Sequence, residues 1–398
     1  MTAADETAVF AYPRPALASL FLRFVRHGCL AFGGPAVQIG MLRHELVDRE
    51  RWTTPERFLR ALAVYQVLPG PEATELCCWF GHLARGRLGA LAAGLGFVLP
   101  GFVLMLFCSW LYVEFGMRAV MVAAAFSGMQ PAVLALVVRA VPRIGARALR
   151  ARGALLAAAA GAIGEWVQLP FALPLLFGAL WLAAAGRGLG LRGVVLAAAS
   201  AATWWWWPGS TVAVEIAVAK TAVAADFVSL LVSGLGAGLL TFGGAYTAIP
   251  FVRNDAVIQN GWLTEAQFLD GLAIGGVIPA PLVIFGTFTG YVAAGLPGAL
   301  AMTIGIFAPA FSFTLVGHEL IERLMAVRRL HAAFDGVAAA VAGIIAAVAL
   351  RMCSVQLVSP FAIGVFVVAL LLNWGWQSRF AVPAIVAFGG LAGWLLNG

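Results

Sequence analysis

The chain has 398 residues, of which 62% are hydrophobic and 11% are charged, and its formal net charge is +7. Soluble domains normally have about a quarter of their residues charged, so this composition excludes a soluble protein and indicates an integral membrane protein. The excess arginines fall in short connections between apolar runs, so the positive charge reports membrane orientation and implies no nucleic-acid partner.

Several apolar runs approach or exceed the roughly 20 residues that cross about 30 Å of hydrocarbon, and they are continuous, so an all-α protein is predicted. The first residues lack the features of a removable signal peptide. The predicted spans of the first half lie near 17–41, 58–84, 88–114, 117–141, 153–168, 170–186 and 190–207. Those of the second half lie near 227–250, 268–294, 298–322, 332–350, 360–373 and 380–397, which gives about 12–13 membrane segments.

A duplication is visible within the chain. Residues 28–71 and 238–281 share 17 identities in 44 ungapped positions, at an offset of 210 residues. Two motifs recur, Phe32-Gly33-Gly34 as Phe242-Gly243-Gly244 and Pro69-Gly70-Pro71 as Pro279-Ala280-Pro281; a one-residue slip then aligns Pro100 with Pro309. We predict two homologous repeats, residues 17–207 and 227–398, with an N-terminal tail of residues 1–16 and a linker at 208–226.

Basic residues in the connections predict the orientation, because lysine and arginine accumulate on the cytoplasmic side. In the first repeat the connection after the fourth span is the basic one, with Arg139, Arg143, Arg147, Arg150 and Arg152. In the second repeat it is the connection after the third span, with Arg323, Arg328, Arg329 and His331. The repeats are therefore predicted to have inverted topology. On this orientation Arg85 and Arg87 lie inside, whereas the charged connection from Arg43 to Arg57 would lie outside.

The duplicated motifs are predicted to be broken or re-entrant helices, because lipid cannot satisfy the backbone groups that glycine and proline free inside an apolar span. The N-terminus of a half-helix carries about half a positive charge and free N–H donors, which suits an anion. Close helix packing is the alternative role for these residues, but their duplication in register favours a site. The predicted substrate-binding residues at the breaks are Phe32, Gly33, Gly34, Pro35, Pro69, Gly70, Pro71, Phe242, Gly243, Gly244, Pro279, Ala280 and Pro281.

Two acidic residues follow the first proline motif. Glu72 and Glu75 lie in the first predicted turn after Pro71, where they are candidates for proton coupling, and Glu72 also for substrate binding. The alternative for Glu72 is a carboxylate that merely stabilises the helix dipole. The second repeat has Leu282 and Phe285 at these positions, so any such role belongs to the first repeat.

Further substrate-binding candidates are Arg43 and Arg253, a repeated cation whose planar fork suits tetrahedral oxyanions. The alternative is that each anchors a span at the membrane interface. Gln38 and Thr74 are uncharged candidates. No catalytic motif, metal-ligand spacing or cofactor motif stands out, so we expect no enzyme, no cofactor and no metal.

In its duplicated glycine and proline motifs the chain resembles the chromate ion transporter family in its long, two-repeat form. The likeness is carried by Phe32-Gly33-Gly34-Pro35, Leu68-Pro69-Gly70-Pro71-Glu72-Ala73, Gln130-Pro131-Ala132-Val133, Phe242-Gly243-Gly244-Ala245-Tyr246 and Ile278-Pro279-Ala280-Pro281-Leu282. Ala280 replaces the glycine of the first Pro-Gly-Pro motif, as is common in part of the family, so the two proline breaks need not be equivalent.

The resemblance implies a multi-pass protein of a bacterial-type inner membrane that exports chromate and confers chromate resistance. The inverted repeats with broken helices predict that it works by alternating access between the repeats. The resemblance leaves proton coupling and a homodimer open. The first alternative is a transporter of sulfate or a related oxyanion with the same fold. The second is an anion channel or a membrane protein that binds a partner.

Overall fold

The structure is a computed structural model that describes residues 15–66, 68–115, 120–151, 153–169, 171–185, 225–241, 245–325, 328–376 and 378–397. Every regular element in these ranges is helical, which confirms the all-α prediction. The predicted span at 190–207 and nearly all of the linker at 208–226 lie outside the described residues.

Seven helices of the first repeat are described. They are α1 (Leu17–Cys29), α2 (Pro35–Leu42) with a π-helical continuation (Arg43–Arg49), α3 (Pro55–Tyr65), α4 (Glu72–Phe115), α5 (Val120–Ala148), α6 (Ala154–Trp166) and α7 (Ala172–Ala185).

The second repeat contributes seven more helices within the described ranges. They are α8 (Phe227–Leu239), α9 (Ala248–Arg253) between a 3-10 turn (Ala245–Thr247) and a π-helical continuation (Asn254–Gln259), α10 (Glu265–Val277), α11 (Phe285–Met325) after a 3-10 turn (Leu282–Ile284), α12 (Arg328–Gln356), α13 (Pro360–Gly375) and α14 (Ala381–Asn397).

Four described helical stretches are long and apolar enough to cross a membrane: Glu72–Phe115, Val122–Ala146, Leu282–Leu315 and Ala332–Gln356. Many large apolar side chains on the helices are exposed, including Leu88, Phe107 and Leu391, as expected for surfaces that contact lipid. The chain is therefore a multi-pass membrane protein.

The predicted span at 17–41 folds back on itself. Arg23 on α1 forms an ion pair with Glu50, just after the π-helical turn, and lies 3.8 Å from Glu45, whereas His27 lies 3.2 Å from Glu45. A continuous helix would hold these residues more than 25 Å apart, since each residue adds about 1.5 Å. Helices α1 and α2 therefore form a hairpin whose tip is the Gly33-Gly34 break.

The predicted span at 58–84 is a second hairpin with its tip at Pro69-Gly70-Pro71. Phe58 on α3 stacks on Phe80 of α4 with ring centroids 6.1 Å apart, and Trp52 packs edge-on against the same ring at 6.3 Å. Helix α4 then reverses at Arg85 and Gly86, where φ and ψ are not helical. Its residues 72–84 thus belong to the hairpin, and residues 87–115 form a long crossing arm.

The second repeat has the same local geometry, residue by residue. Ser233 donates a hydrogen bond of 2.9 Å to Asp255, and these two residues are the counterparts of Arg23 and Glu45 at the offset of 210. Helix α11 reverses at Gly295, with φ +62, as α4 does at Gly86, with φ +60.

Packing and capping follow the duplication as well. A Cβ added at Gly28 would lie 2.5 Å from the Phe97 carbonyl oxygen, and one at Gly238 would lie 2.5 Å from that of Ile306. Each N-cap threonine accepts a hydrogen bond from the third residue of its helix, at 3.1 Å for α3 and 3.2 Å for α10.

The crossing arm of α4 confirms the inverted arrangement. It starts at the Arg85–Gly86 turn, beside the open ends of the first-repeat hairpins, and near its far end Tyr112 contacts Asp270 in the second turn of α10. The hairpins of the two repeats therefore open toward opposite sides of the membrane.

Two expectations about the loops were wrong. The connection from Arg43 to Arg57 lies on the same side as Arg85 and Arg87, because the segment before it folds back instead of crossing. Arg139, Arg143 and Arg147 lie inside α5, which continues to Ala148, and not in a loop. Both corrections have the same cause: apolar run length predicts where helices lie but not where they reverse or end.

Candidate functional site

The tip of the first proline motif contacts the second repeat. The backbone N–H of Gly70 donates a hydrogen bond of 2.8 Å to the carbonyl oxygen of Thr241, which directly precedes the motif at residues 242–244. On its other side, a Cβ added at Gly70 would lie 3.6 Å from Cα of Ala310 in α11. The first-repeat proline break thus contacts Thr241, the residue that precedes the second glycine motif.

The tip of the second proline motif contacts the first repeat in return. The Gln38 side chain, in α2 just after the Gly33-Gly34 break, donates hydrogen bonds to the carbonyl oxygens of Ala31 at 2.8 Å and Ala280 at 3.1 Å. The Ala280 methyl group also packs so closely against Gly101 of α4 that a Cβ at this glycine would clash with it.

These contacts form reciprocal pairs. Gly70 and Ala280 are equivalent at the offset of 210, and Gly101 and Ala310 are equivalent at the offset of 209 that follows the one-residue slip. Each proline-motif tip therefore packs against the long crossing arm of the opposite repeat, one residue after the arm's own proline, Pro100 or Pro309. A movement of one repeat relative to the other would change both contacts together.

The first glycine break has a backbone that only glycine adopts readily. Gly33 and Gly34 have φ values of +89 and +81, and Gly34 begins α2 without a side-chain cap. Pro35 occupies the first helical position, so the start of this half-helix presents uncapped backbone and the positive end of its dipole. Phe32 beside it packs on Phe380 at 5.7 Å. The predicted counterparts Phe242, Gly243 and Gly244 lie outside the described residues.

Three polar residues at the start of α4 are buried together, namely Glu72, Thr74 and Glu75, with exposed fractions of 2%, 0% and 0%. Both carboxylate oxygens of Glu75 lack a hydrogen-bond partner within the described residues, and one lies 2.7 Å from the position of an added Cβ at Gly70. The carboxylate therefore faces the proline break directly. In the second repeat, Leu282 and Phe285 are buried apolar side chains.

The two repeated arginines have different surroundings. Arg43 is exposed, and its Nε lies 3.7 Å from Asp48. Arg253 is only 4% exposed, and its Nε donates to both carboxylate oxygens of Glu265, at 2.8 and 3.0 Å. The charge of Arg253 is thus compensated by an acid within the same repeat, and the structure does not bring the two arginines together.

Sequence reasoning missed Asp270. This residue of α10 is completely buried, and its two carboxylate oxygens accept hydrogen bonds of 2.8 Å each from the Tyr112 hydroxyl and the Gln130 amide. Both donors belong to the first repeat, so the carboxylate joins the repeats near one end of the crossing arm. An acidic residue inside the apolar span predicted at 268–294 was the signal, because such residues are costly in membranes.

Within the described residues no group of histidine, cysteine and acidic side chains has the arrangement of a metal site. The polar groups at the breaks are instead backbone donors, amides and carboxylates. The backbone and amide N–H groups can donate hydrogen bonds to a small oxyanion, and the carboxylates can bind and release protons.

A family model described as "Chromate transporter" matches the chain twice, over residues 18–224 and 228–394. The chain is 46% identical to the chromate transport protein of Pseudomonas aeruginosa, over 99% of its own length and 96% of that protein's. It is 29% identical to the chromate transport protein of Cupriavidus metallidurans, over 98% and 96% of the two lengths. The probable chromate transport protein of Synechococcus elongatus is 27% identical, over 98% of each chain. No solved structure matches the chain.

Proposed function

Because the chain belongs to the chromate transporter family, we propose that it exports chromate from the cytoplasm by alternating access between its two inverted repeats. The observation that carries this proposal is the pair of reciprocal contacts at Gly70 and Ala280, which joins each proline break to the opposite repeat. The localisation that goes with this function is a bacterial-type inner membrane.

The breaks supply the groups that a chromate ion needs in place of water. Uncapped backbone N–H groups at Gly33, Gly34 and the start of α2 donate to the oxyanion, and the dipole of the half-helix favours its negative charge. Gln38 holds the second proline break against this tip through the Ala280 carbonyl oxygen. The same donors would accept sulfate, which is also a tetrahedral dianion, so a sulfate transporter is the second candidate.

Export of a dianion is favourable by itself. An inside-negative potential of 100 mV drives two negative charges outward with about 4.6 kcal/mol, which corresponds to a concentration ratio of roughly a thousandfold or more. Proton coupling is therefore an addition and not a requirement. Glu75 is the residue we assign to it, because its carboxylate is completely buried beside Gly70 and has no hydrogen-bond partner in the described residues.

Alternating access requires a contact that closes one side of the pathway and can be broken. The bonds from Tyr112 and Gln130 to Asp270 join the repeats on the side where the second-repeat hairpins open. By the distribution of basic residues this is the outer side. We assign to these bonds the closure of the outer side while chromate enters from the cytoplasm.

Flux of labelled chromate in proteoliposomes tests this function, with membrane potential and pH gradient imposed separately and sulfate added as a competitor. Wild-type protein should move chromate toward the positive side, and Pro69→Leu should abolish the flux while the protein still inserts into the membrane. Gly236→Ala in α8 is the control, since an added Cβ there meets nothing within 4 Å. Undiminished chromate flux in the Pro69 variant would contradict a site at the breaks, and currents far above carrier turnover would indicate a channel.

A further inference from the structure

Two arginines occupy an unusual place in α5. Arg139 and Arg143 are one helical turn apart, inside a helix that contributes the membrane-crossing stretch Val122–Ala146. Within the described residues no carboxylate lies within ion-pair distance of either guanidinium. Unpaired cations in membrane segments are costly and commonly mark an ion pathway.

Arg139 is held in place by an aromatic ring. It is half-buried, its guanidinium carbon lies 4.3 Å from the centre of the Trp374 ring, and its Nε is shielded from solvent without a hydrogen-bond partner among the described residues. A cation–π contact fixes the orientation of the guanidinium but leaves its in-plane N–H donors available. This arginine is therefore positioned and still has donors to offer.

The turn that follows Trp374 leads to the first glycine break. A Cβ added at Gly33 would lie 2.9 Å from the Arg379 backbone, and Phe380 packs on Phe32 at 5.7 Å. Arg379 is itself exposed, so it adds a third cation near the tip. Arg139 is thus connected to the first-repeat break through α13 and the turn before α14.

Arg143 lies one helical turn beyond Arg139, and its side chain is exposed. Because residues four positions apart share a helix face, Arg139 and Arg143 lie on the same side of α5. A ligand that carries two negative charges would relieve the repulsion between these two neighbouring positive charges.

We propose that Arg139 and Arg143 form an anion-binding site that receives a tetrahedral dianion from the cytoplasm before it reaches the helix breaks. The inference rests on the proposed function and names residues for it that lie outside the duplicated motifs. The planar guanidinium groups offer paired donors to the oxygen atoms of the dianion, a geometry that lysine lacks. Arg139→Lys should therefore bind less tightly than wild type although it keeps the charge.

Equilibrium dialysis of labelled chromate against the purified full-length protein in detergent measures this site without transport. Arg139→Gln and Arg143→Gln should each raise the dissociation constant about tenfold or more, because a hydrogen bond to a charged group is lost. Arg150→Gln is the matched control; this exposed arginine of the same basic run has its Nε bonded to the Ala146 carbonyl oxygen. Its dissociation constant should stay within about twofold of wild type.

The possible failures are distinguishable. If wild-type protein binds chromate and the Arg139 and Arg143 variants bind it equally well while keeping the wild-type unfolding midpoint, the arginine site is wrong and the proposed function stands. If wild-type protein binds neither chromate nor sulfate, the proposed function is wrong and the site falls with it. A weakening in Arg150→Gln as large as in the other two variants would overturn the site in favour of a general effect of surface charge.

Discussion

The hydroxyl group of Tyr112 donates a hydrogen bond of 2.8 Å to the buried carboxylate of Asp270, and the two residues belong to opposite repeats. They are 158 positions apart in the chain. The bond joins the far end of the α4 crossing arm to the second-repeat hairpin. In the proposed mechanism this bond helps to close the outer side of the protein.

A double-mutant cycle tests the coupling between Tyr112 and Asp270. Tyr112→Phe removes one donor and should destabilise the protein by about 1.5–3 kcal/mol, because the bond is made to a buried acidic group. Asp270→Asn keeps the shape but removes the charge. If the two residues are coupled, the double variant should lose less stability than the sum of the single variants, measured by unfolding in detergent. Additive losses would contradict the coupling.

The same variants test the assigned closure of the outer side. Tyr112→Phe should make residues near Asp270 more accessible to a membrane-impermeant thiol reagent from the outside, at cysteines introduced there. Accessibility that is unchanged from wild type, together with unchanged chromate flux, would rule out a gating role for this bond.

The repeated arginines allow a test in which one repeat is the control for the other. Arg253→Gln should cost about 3–5 kcal/mol of stability, since it leaves the Glu265 carboxylate without its partner. Arg43→Gln should cost at most about 1 kcal/mol, because its pairing with Asp48 is exposed. Thermal unfolding in detergent measures both.

Substitution of both partners, Arg253→Gln with Glu265→Gln, should restore part of the stability lost in the single variant. A loss in the double variant equal to the sum of the single losses would show that the pair itself contributes little. Equal behaviour of Arg43→Gln and Arg253→Gln would contradict the different burial of the two arginines.

The backbone of the first glycine break predicts a strong effect of a single methyl group. Gly33→Ala should lower chromate flux and destabilise the protein by about 1–3 kcal/mol, because φ is +89 and the added Cβ would lie 2.9 Å from backbone atoms of Arg379. Gly236→Ala is helical and meets open space, so it should be neutral or slightly stabilising. Equal flux and stability in the two variants would exclude strain at the break.

Substitution of Glu75 distinguishes a proton-coupling role of this residue from a role in helix stability. If Glu75 carries the proton, Glu75→Gln should abolish the response of chromate flux to an imposed pH gradient and retain the flux driven by membrane potential. Glu56→Gln, the matched change at an exposed acidic residue in the first turn of α3, should retain both responses. A pH-gradient response in Glu75→Gln equal to that of wild type would remove this residue from proton coupling.

Much of the fold follows from local patterns. Apolar run length predicts most of the described helices, because a helix that spans lipid must be apolar along its length. The pairing of Trp52 with Trp262 and of Thr54 with Thr264 in the duplicated segment predicts matching elements, and both threonines cap their helices. The reversals at Arg85 and Gly295 fall between spans that the sequence predicts to end at 84 and 294. The closing of the first hairpin by Arg23 and Glu50 was not predictable, since the two residues are 27 positions apart in the chain.

The candidate site was predictable in part. The duplicated breaks identified the segments that meet, but no local pattern shows that Gly70 bonds to Thr241 or that Gln38 bonds to Ala280. Equivalent sequence positions also do not guarantee equivalent roles. The buried Arg253 has an acidic partner because the second repeat carries Glu265, whereas the first repeat has Pro55 at that position.

The sequence alone determined that this protein is a duplicated membrane protein with inverted repeats, and it predicted a helix break at each duplicated motif. These properties follow from apolar run length, from residues repeated at one offset and from the distribution of arginine. Each of these signals can be read from short stretches of the chain. The tertiary structure decided that the broken segments fold back as hairpins. It also decided that each proline motif packs against the opposite repeat and that Asp270 joins the repeats. Those outcomes depend on hydrogen bonds and packing between residues far apart in the chain, so only the folded arrangement specifies them.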